Sequence, residues 1–489
     1  MAFVIGGKHF GQYTYEHWFD DEYKMEAHLD FGNSVKVILE NFRLVDEEMD
    51  IVGGVIIVNG VISQVVSGDT PLNSKDGATI IIDGACLLRE ENNSSPKKLP
   101  VLMPAFVDLH AHFREPAQTK NSFPAERTPQ SEAPLLSEEV FPSETIESAS
   151  MAAAAGGFGT VVCMANTKPA TDTLEKAAAI KNRSDALGLI DLYPVISLTK
   201  GMEGKELSEI KDPDFKTKGP YIPPFLSEDG KDLENEELFL AAMLEAKRLE
   251  IPISFHCDFG GEESTAVNRV VELGKKAGCH IHIAHVSTKK SLEVIRSGKK
   301  AGLPLTCEVM PHNLCLTEED AKKLGDKTWG RVNPPLRSEE DRQAMLKGLA
   351  DGTIDAIATD HAPHTAAAKE AGAPGFSGFE TAFASVYTKL IHRAGKSGLA
   401  AGNNTVSNID LKKLSSLMSA NPAKLLGLGQ SRGRILPGYR ADLVIIDTEA
   451  PWTINPAAFK SRGKNSAFSG RSLWGKILMT LHKGKVAFS

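Results

Sequence analysis

Residues 107–114 read VDLHAHFR. The chain has 14 histidines, and two of them stand here one residue apart behind an apolar run. In an extended strand alternate side chains share a face, so Asp108, His110 and His112 project together. Two imidazoles with a carboxylate beside them are the beginning of a metal site. A pair of half-buried histidines hydrogen-bonded to backbone is the alternative, and this fragment alone does not choose between them.

Four further apolar runs close on a residue of the same chemistry. LSEDG carries Asp229, SFHCD carries His256, HIAHVS carries His285 and IATDH carries Asp360. With His110 and His112 this makes four imidazoles and two carboxylates. One zinc does not need so many ligands, so two metals sharing a bridging group are implied.

Positioning such a set requires strands that end together. Eight strand candidates run through the middle of the chain: VLMPAFVDLHAH, GTVVCMAN, LIDLYPVISLT, PPFLSED, IPISFHCD, HIHIAHVS, PLTCEVMPH and DAIATDHAP. Helical stretches such as ENEELFLAAMLEAKRLE and SEEDRQAMLKGLADG lie between them. The alternation predicts an α/β fold, a (β/α)8 TIM-type barrel with its site at the C-terminal ends of the strands. An open doubly wound sheet is the structural alternative, but no G-x-G-x-x-G follows an early strand. Both ends of the chain are rich in β-branched residues, with Asn59-Gly60 marking a tight hairpin. They predict a small β-sandwich domain formed from residues 35–100 and 430–489. Residues 1–34 form an N-terminal extension, and 101–429 form the barrel. Loops are expected at 92–98, 119–144 and 364–378; the last, directly behind TDHAPH, suits a lid.

Composition bounds the partners. Lys and Arg number 55 against 63 Asp and Glu, a net charge of −8, and no long basic run offers a nucleic-acid surface. The six cysteines are scattered without a C-x-x-C pair, which fits buried thiols in a reducing cytoplasm. The first residues lack the apolar core of a signal peptide, and no run reaches the ~18 apolar residues of a membrane span.

The ordered set DLHAHFREP, AAAAGGFGTVVCMANT, SEDG, IPISFHCD, HIHIAHVST, LTCEVMPHNL, RVNPPLRSEEDR, IDAIATDHAPH, PGFSGFETAF and NPAKLLGL, then GYRADLVIID and LWGKILMTLHKGKV, resembles the dihydroorotases of the amidohydrolase superfamily. The likeness covers roughly residues 35–489. It implies two Zn2+ per subunit: His110, His112 and Asp360 at one, His256 and His285 at the other, and Asp229 as the bridging aspartate of the bacterial form. Many relatives bridge with a carbamylated lysine, but YIPPFLSEDG offers no lysine at the strand end. His280 and His282 match no ligand position and read as core or supporting histidines.

The same resemblance implies the reaction. A metal-bridging hydroxide opens dihydroorotate to N-carbamoyl-L-aspartate, reversibly, in de novo pyrimidine (UMP) biosynthesis, with Asp360 as general acid and base. Arg114 grips the substrate carboxylate through its planar fork. Asn166 and His364 assist it, His112 lies beside the substrate, and Asn333 with the backbone of Pro374 and Gly375 contacts the pyrimidine ring. A homodimer and a contact with aspartate transcarbamoylase are implied as partners. Departures from the family pattern are Ala165 in MANT, Asn313 in PHNL, FPSETIES in place of YKED, a longer loop after Arg114, and a shorter segment from His256 to His285. Two other readings exist: an allantoinase- or hydantoinase-like enzyme, and a silent homologue that scaffolds aspartate transcarbamoylase. The first would normally need the bridging lysine; the second would have lost ligands.

Overall fold

The computed structural model describes residues 36–68, 79–88, 98–115, 143–231, 234–257, 261–393 and 409–489, with the backbone of two paired strands, Phe3–Ile5 and Lys8–Phe10. Most of the N-terminal extension and most of the 92–98 and 119–144 loops lie outside the described residues.

The eight expected strands are present as β1 (Phe106–Ala111), β2 (Phe158–Cys163), β3 (Asp191–Pro194), β4 (Leu226–Ser227), β5 (Ile253–Phe255), β6 (Ile281–Ile283), β7 (Leu305–Val309) and β8 (Ala356–Ile357). Neighbours pair in parallel from β1 to β3 and from β4 to β8. Parallel bridges from Ile196 to Leu226 and from Ala111 to His361 join the two groups into a ring. All residues of β1 and β2 are buried. A parallel sheet packed on both faces needs such continuous apolar runs rather than alternation.

Helices cover the outside where the sequence gives them caps. Glu236–Leu249 starts on the Asn235 side chain, with acidic residues in its first turn and Lys247 and Arg248 in its last. Thr288 and Ser338 cap Lys289–Lys300 and Glu339–Ala350 in the same way. The third unit departs from the expected β-then-α repeat. Between β3 and β4 the chain makes only two 3₁₀ turns, Lys200–Met202 and Glu209–Lys211. Gly201, Gly204, Pro213, Gly219, Pro220, Pro223 and Pro224 punctuate this stretch and leave no uninterrupted helical run.

The run 101–112, read above as one strand, is two. Val101–Pro104 belongs to an eight-stranded sheet made from both ends of the chain, and after Ala105 the backbone enters β1. That sheet runs, by strand, Lys485–Phe488, Lys476–His482, Leu443–Asp447, Val101–Pro104, Lys36–Val45, Asp50–Val58 and Val61–Ser67, with Thr79–Asp83 also on Lys36–Val45. Its two faces are distinct. Leu102, Leu443 and Ile445 point into the small domain's core; Val101, Met103, Val444 and Ile446 pack into the barrel's. The Asn59-Gly60 hairpin forms as expected, with φ of +51° and +76°.

Candidate metal centre

Six side chains arrive at one end of the barrel. His110 lies on β1 with His112 just past it; Asp229, His256, His285 and Asp360 follow the last residues of β4, β5, β6 and β8. All six are buried. Ligand atoms of His110, His256 and His285 lie within 4.8 Å of one another, as do those of His110, His112 and Asp229. Asp360 Oδ1 is 3.1 Å from His112 Nε2 and 3.5 Å from His110 Nε2. His256 Nδ1 is 2.9 Å from Asp229 Oδ1 and 3.0 Å from His285 Nε2. The backbone is left-handed at Arg114 (φ +57°), His285 (+36°) and Asp360 (+45°). Non-glycine residues pay for that conformation, and such strain concentrates at functional sites.

Hydrogen bonds fix which nitrogens face inward. Asn166 Nδ2 donates to Asp229 Oδ2 at 2.6 Å, so its Oδ1 accepts from His112 Nδ1 at 2.9 Å. His110 Nδ1 donates to Glu308 Oε1 at 3.1 Å. With Nδ1 so engaged, each ring turns its Nε2 toward the carboxylates. His110 Nε2 is buried without a hydrogen-bond partner. A ring nitrogen this close to a carboxylate oxygen needs a cation between them, a proton or a metal ion, and a carboxylate behind the histidine is the usual support of a metal ligand. The donor set therefore fits a metal: imidazole nitrogens and carboxylate oxygens suit zinc or a similar divalent ion.

The electrostatics report the same excess of negative charge. Burial opposes protonation of His110, yet Asp360, Glu308 and Asp229 outweigh it and push its pKa up to about 10. Burial would raise Asp229 and Asp360, but the surrounding histidines hold both below the usual carboxylate range. Glu308 is likewise buried and held at about 2 by His110 and His282. Burial lowers His256, and it lowers His312, on the segment after β7, to about 4.

Around this centre the other sequence candidates are distributed unevenly. Arg114 Nη2 comes within 3.5 Å of His364 Nε2, its Nε is buried without a partner, and burial lowers its pKa. His364 Nε2 donates to Pro374 O at 2.8 Å; burial and Arg114 lower its pKa to about 4, so the ring is neutral. Asn166 faces His112 and Asp229 rather than Arg114. Asn333 is exposed before Pro334 and makes no side-chain hydrogen bond among the described residues. Asp108 does not join the ligands as the shared strand face suggested. It accepts from Thr359 N (2.9 Å), Thr359 Oγ1 and His110 N (3.3 Å), bracing the residue before Asp360. His282 Nε2 lies 3.2 Å from Glu308 Oε2, a supporting position, while His280 meets Thr306.

Sequence reasoning missed Glu308 and Glu144. Glu308 is a lone carboxylate inside an apolar strand, 1% exposed, and that oddity was the available signal. Glu144, within the departing FPSETIES stretch, accepts from Ser148, Ser461 and Arg462 N and lies 3.4 Å from His361 Nε2. His361 Nδ1 in turn accepts from Gly378 N at 3.1 Å.

The closed parallel barrel thus gathers histidines and aspartates that could hold metal at its strand ends, beside a small sheet. Residues 101–487 match the model of the amidohydrolase family. The chain belongs to the amidohydrolase family. Within it, the chain is 35% identical over 462 residues to the dihydroorotase of Clostridium botulinum, covering 93% of this chain and 100% of that one. It is 36% identical over 411 residues to the dihydroorotase of a Geobacillus species, covering 78% and 86%. Among solved structures, L-hydantoinase (dihydropyrimidinase) from Arthrobacter aurescens superposes with a TM-score of 0.72 at 22% identity, over 92% of this chain and 95% of that one. D-hydantoinase from Bacillus sp. AR9 also gives 0.72, at 17% identity and the same coverage. These two show the barrel-and-sandwich fold. No helix among the described residues is long and apolar enough to cross a membrane.

Proposed function

We propose that this protein is a dihydroorotase, opening (S)-dihydroorotate to N-carbamoyl-L-aspartate and closing it again. His110, His112 and Asp360 would hold one zinc and His256 and His285 a second, with Asp229 a ligand that both could share. When bound, such metals lower the pKa of water toward ~7 and polarise the carbonyl.

The chain's residues do the rest. Asp360 enters ionised, takes a proton from the attacking water and delivers it to the ring nitrogen as the carbon–nitrogen bond breaks. Water oxygen ends on the carbonyl carbon and its proton on the departing nitrogen. Asp108, through Thr359, and Glu308, through His110, keep these groups in register. Arg114 pairs with the substrate carboxylate, and neutral His364 beside it offers shape without competing charge. A cytoplasmic homodimer in contact with aspartate transcarbamoylase belongs to the same reading and rests on the likeness to dihydroorotases alone.

One observation carries the choice of substrate: a buried guanidinium with an unpartnered Nε beside the metal centre. An anion relieves it; an uncharged cyclic imide does not. The test compares kcat/KM for dihydroorotate and dihydrouracil, which differ by that carboxylate. Dihydroorotate is expected to lead by a factor reflecting about 2–5 kcal/mol, roughly thirty- to several-thousand-fold. Arg114→Lys should recover only part of this, since a point charge does not reproduce the fork. Equal rates, or a preference for dihydrouracil, would move the assignment to the hydantoinase-like reading.

A further inference from the structure

Residues 459–466, which follow the small sheet's Leu443–Asp447 strand, fold back over the loop after β8. Asn465, 1% exposed, uses its whole amide there. Nδ2 donates to Ala362 O (3.1 Å) and Gly375 O (3.0 Å), and Oδ1 accepts from His364 N (3.0 Å) and Ser377 Oγ (2.9 Å). Lys369, fully buried, uses its whole ammonium. It donates to Arg331 O (2.9 Å), Ala373 O (2.8 Å) and Gly375 O (3.0 Å). Both clamps therefore end on the same carbonyl.

The backbone they hold has no slack. Gly375 sits at φ +135°, where a Cβ would lie 2.6 Å from Ala362 Cβ. A Cβ on Gly463 would lie 2.5 Å from Pro363 Cβ. Gly375 N also donates to Arg331 O at 3.0 Å, so an amide and the Lys369 ammonium both tie residues 374–375 to Arg331.

We infer that Asn465 and Lys369 are positioning residues that fix the shape of the loop presenting His364, Pro374 and Gly375, and so set substrate recognition; this rests on the dihydroorotase reading. Neither has a donor or acceptor left for a substrate, so each acts through the loop. Removing either leaves buried carbonyls unpaired, which costs more than the bonds themselves were worth.

The experiment uses the full chain with its metal. Asn465→Asp keeps both acceptor bonds but loses both donations and sets a carboxylate against two carbonyls. Lys369→Met keeps the length and loses the donors. In each, KM for dihydroorotate should rise about ten- to a hundredfold, with kcat within about threefold and zinc content unchanged. Amide exchange at Gly375 and Ser377 should quicken while the barrel strands stay protected. The double variant should fall short of the two effects multiplied, because both hold one carbonyl. Parental KM and parental exchange in both variants would overturn the inference. So would a fall in kcat at unchanged KM, or loss of barrel protection in both, which would mean a general folding role. A parent chain inactive on dihydroorotate would defeat the functional reading instead, and the exchange comparison would still decide the clamp.

Discussion

The two ends of the barrel each bury a cluster of aspartates and histidines, and they differ in one respect. At the N-terminal end, Asp191 begins β3 and accepts from Arg432 and Arg440, with Lys483 Nζ at 3.0 Å and His482 Nε2 at 3.5 Å. Asp442 meets Arg440 Nη2 at 2.9 Å and His482 Nδ1 at 3.3 Å. These carboxylates have cations from the chain itself. At the C-terminal end, Asp229, Asp360 and Glu308 pair with histidines, Asn166 also donates to Asp229, and among the described residues no lysine or arginine forms an ion pair with them. Burying charge is tolerable only when it is paired. The first cluster takes its compensating charge from the chain's own arginines and lysine, as a joint between barrel and small domain; the second is a place that cations from outside fit. Counting aspartates and histidines would not separate them. Asking where the compensating charge comes from does.

The largest effect that should separate the two ends is chemical. Asp360→Asn keeps shape and polarity but loses the carboxylate proposed to carry the proton. It should lower kcat by about 10²–10⁴-fold with little change in the denaturation midpoint. Near-parental turnover on dihydroorotate would break the assignment. The converse substitution belongs at the other end. Arg432→Met strips one partner from a buried ion pair and should cost about 3–5 kcal/mol of stability, read as a lower urea midpoint. At a temperature where the variant is folded, kcat/KM should match the parent. A variant that lost activity while keeping its stability would show that the joint also serves the chemistry.

Much of this site was legible because barrel chemistry sits where strands stop. His256, His285 and Asp360 each terminate a short apolar run, and that coincidence needs no structure to see. What strand periodicity does not encode is depth and local turning. Asp108 shares a face with His110 yet turns to Thr359. The left-handed backbone at His285 and Asp360 leaves no mark in composition. The joint at Ala105, where one apolar run divides between two sheets, is invisible because both sheets want the same residues. Asn465 lies 101 residues beyond His364, and only tertiary folding brings its amide to that loop.

Metal is proposed to complete the strand-end cluster, and the most direct measurement is the zinc content of the purified chain against its protein concentration. Two equivalents are expected, falling with chelation in step with dihydroorotate hydrolysis and returning with added zinc. A chain that carries no stoichiometric metal, and hydrolyses dihydroorotate undiminished in chelator, would contradict the account.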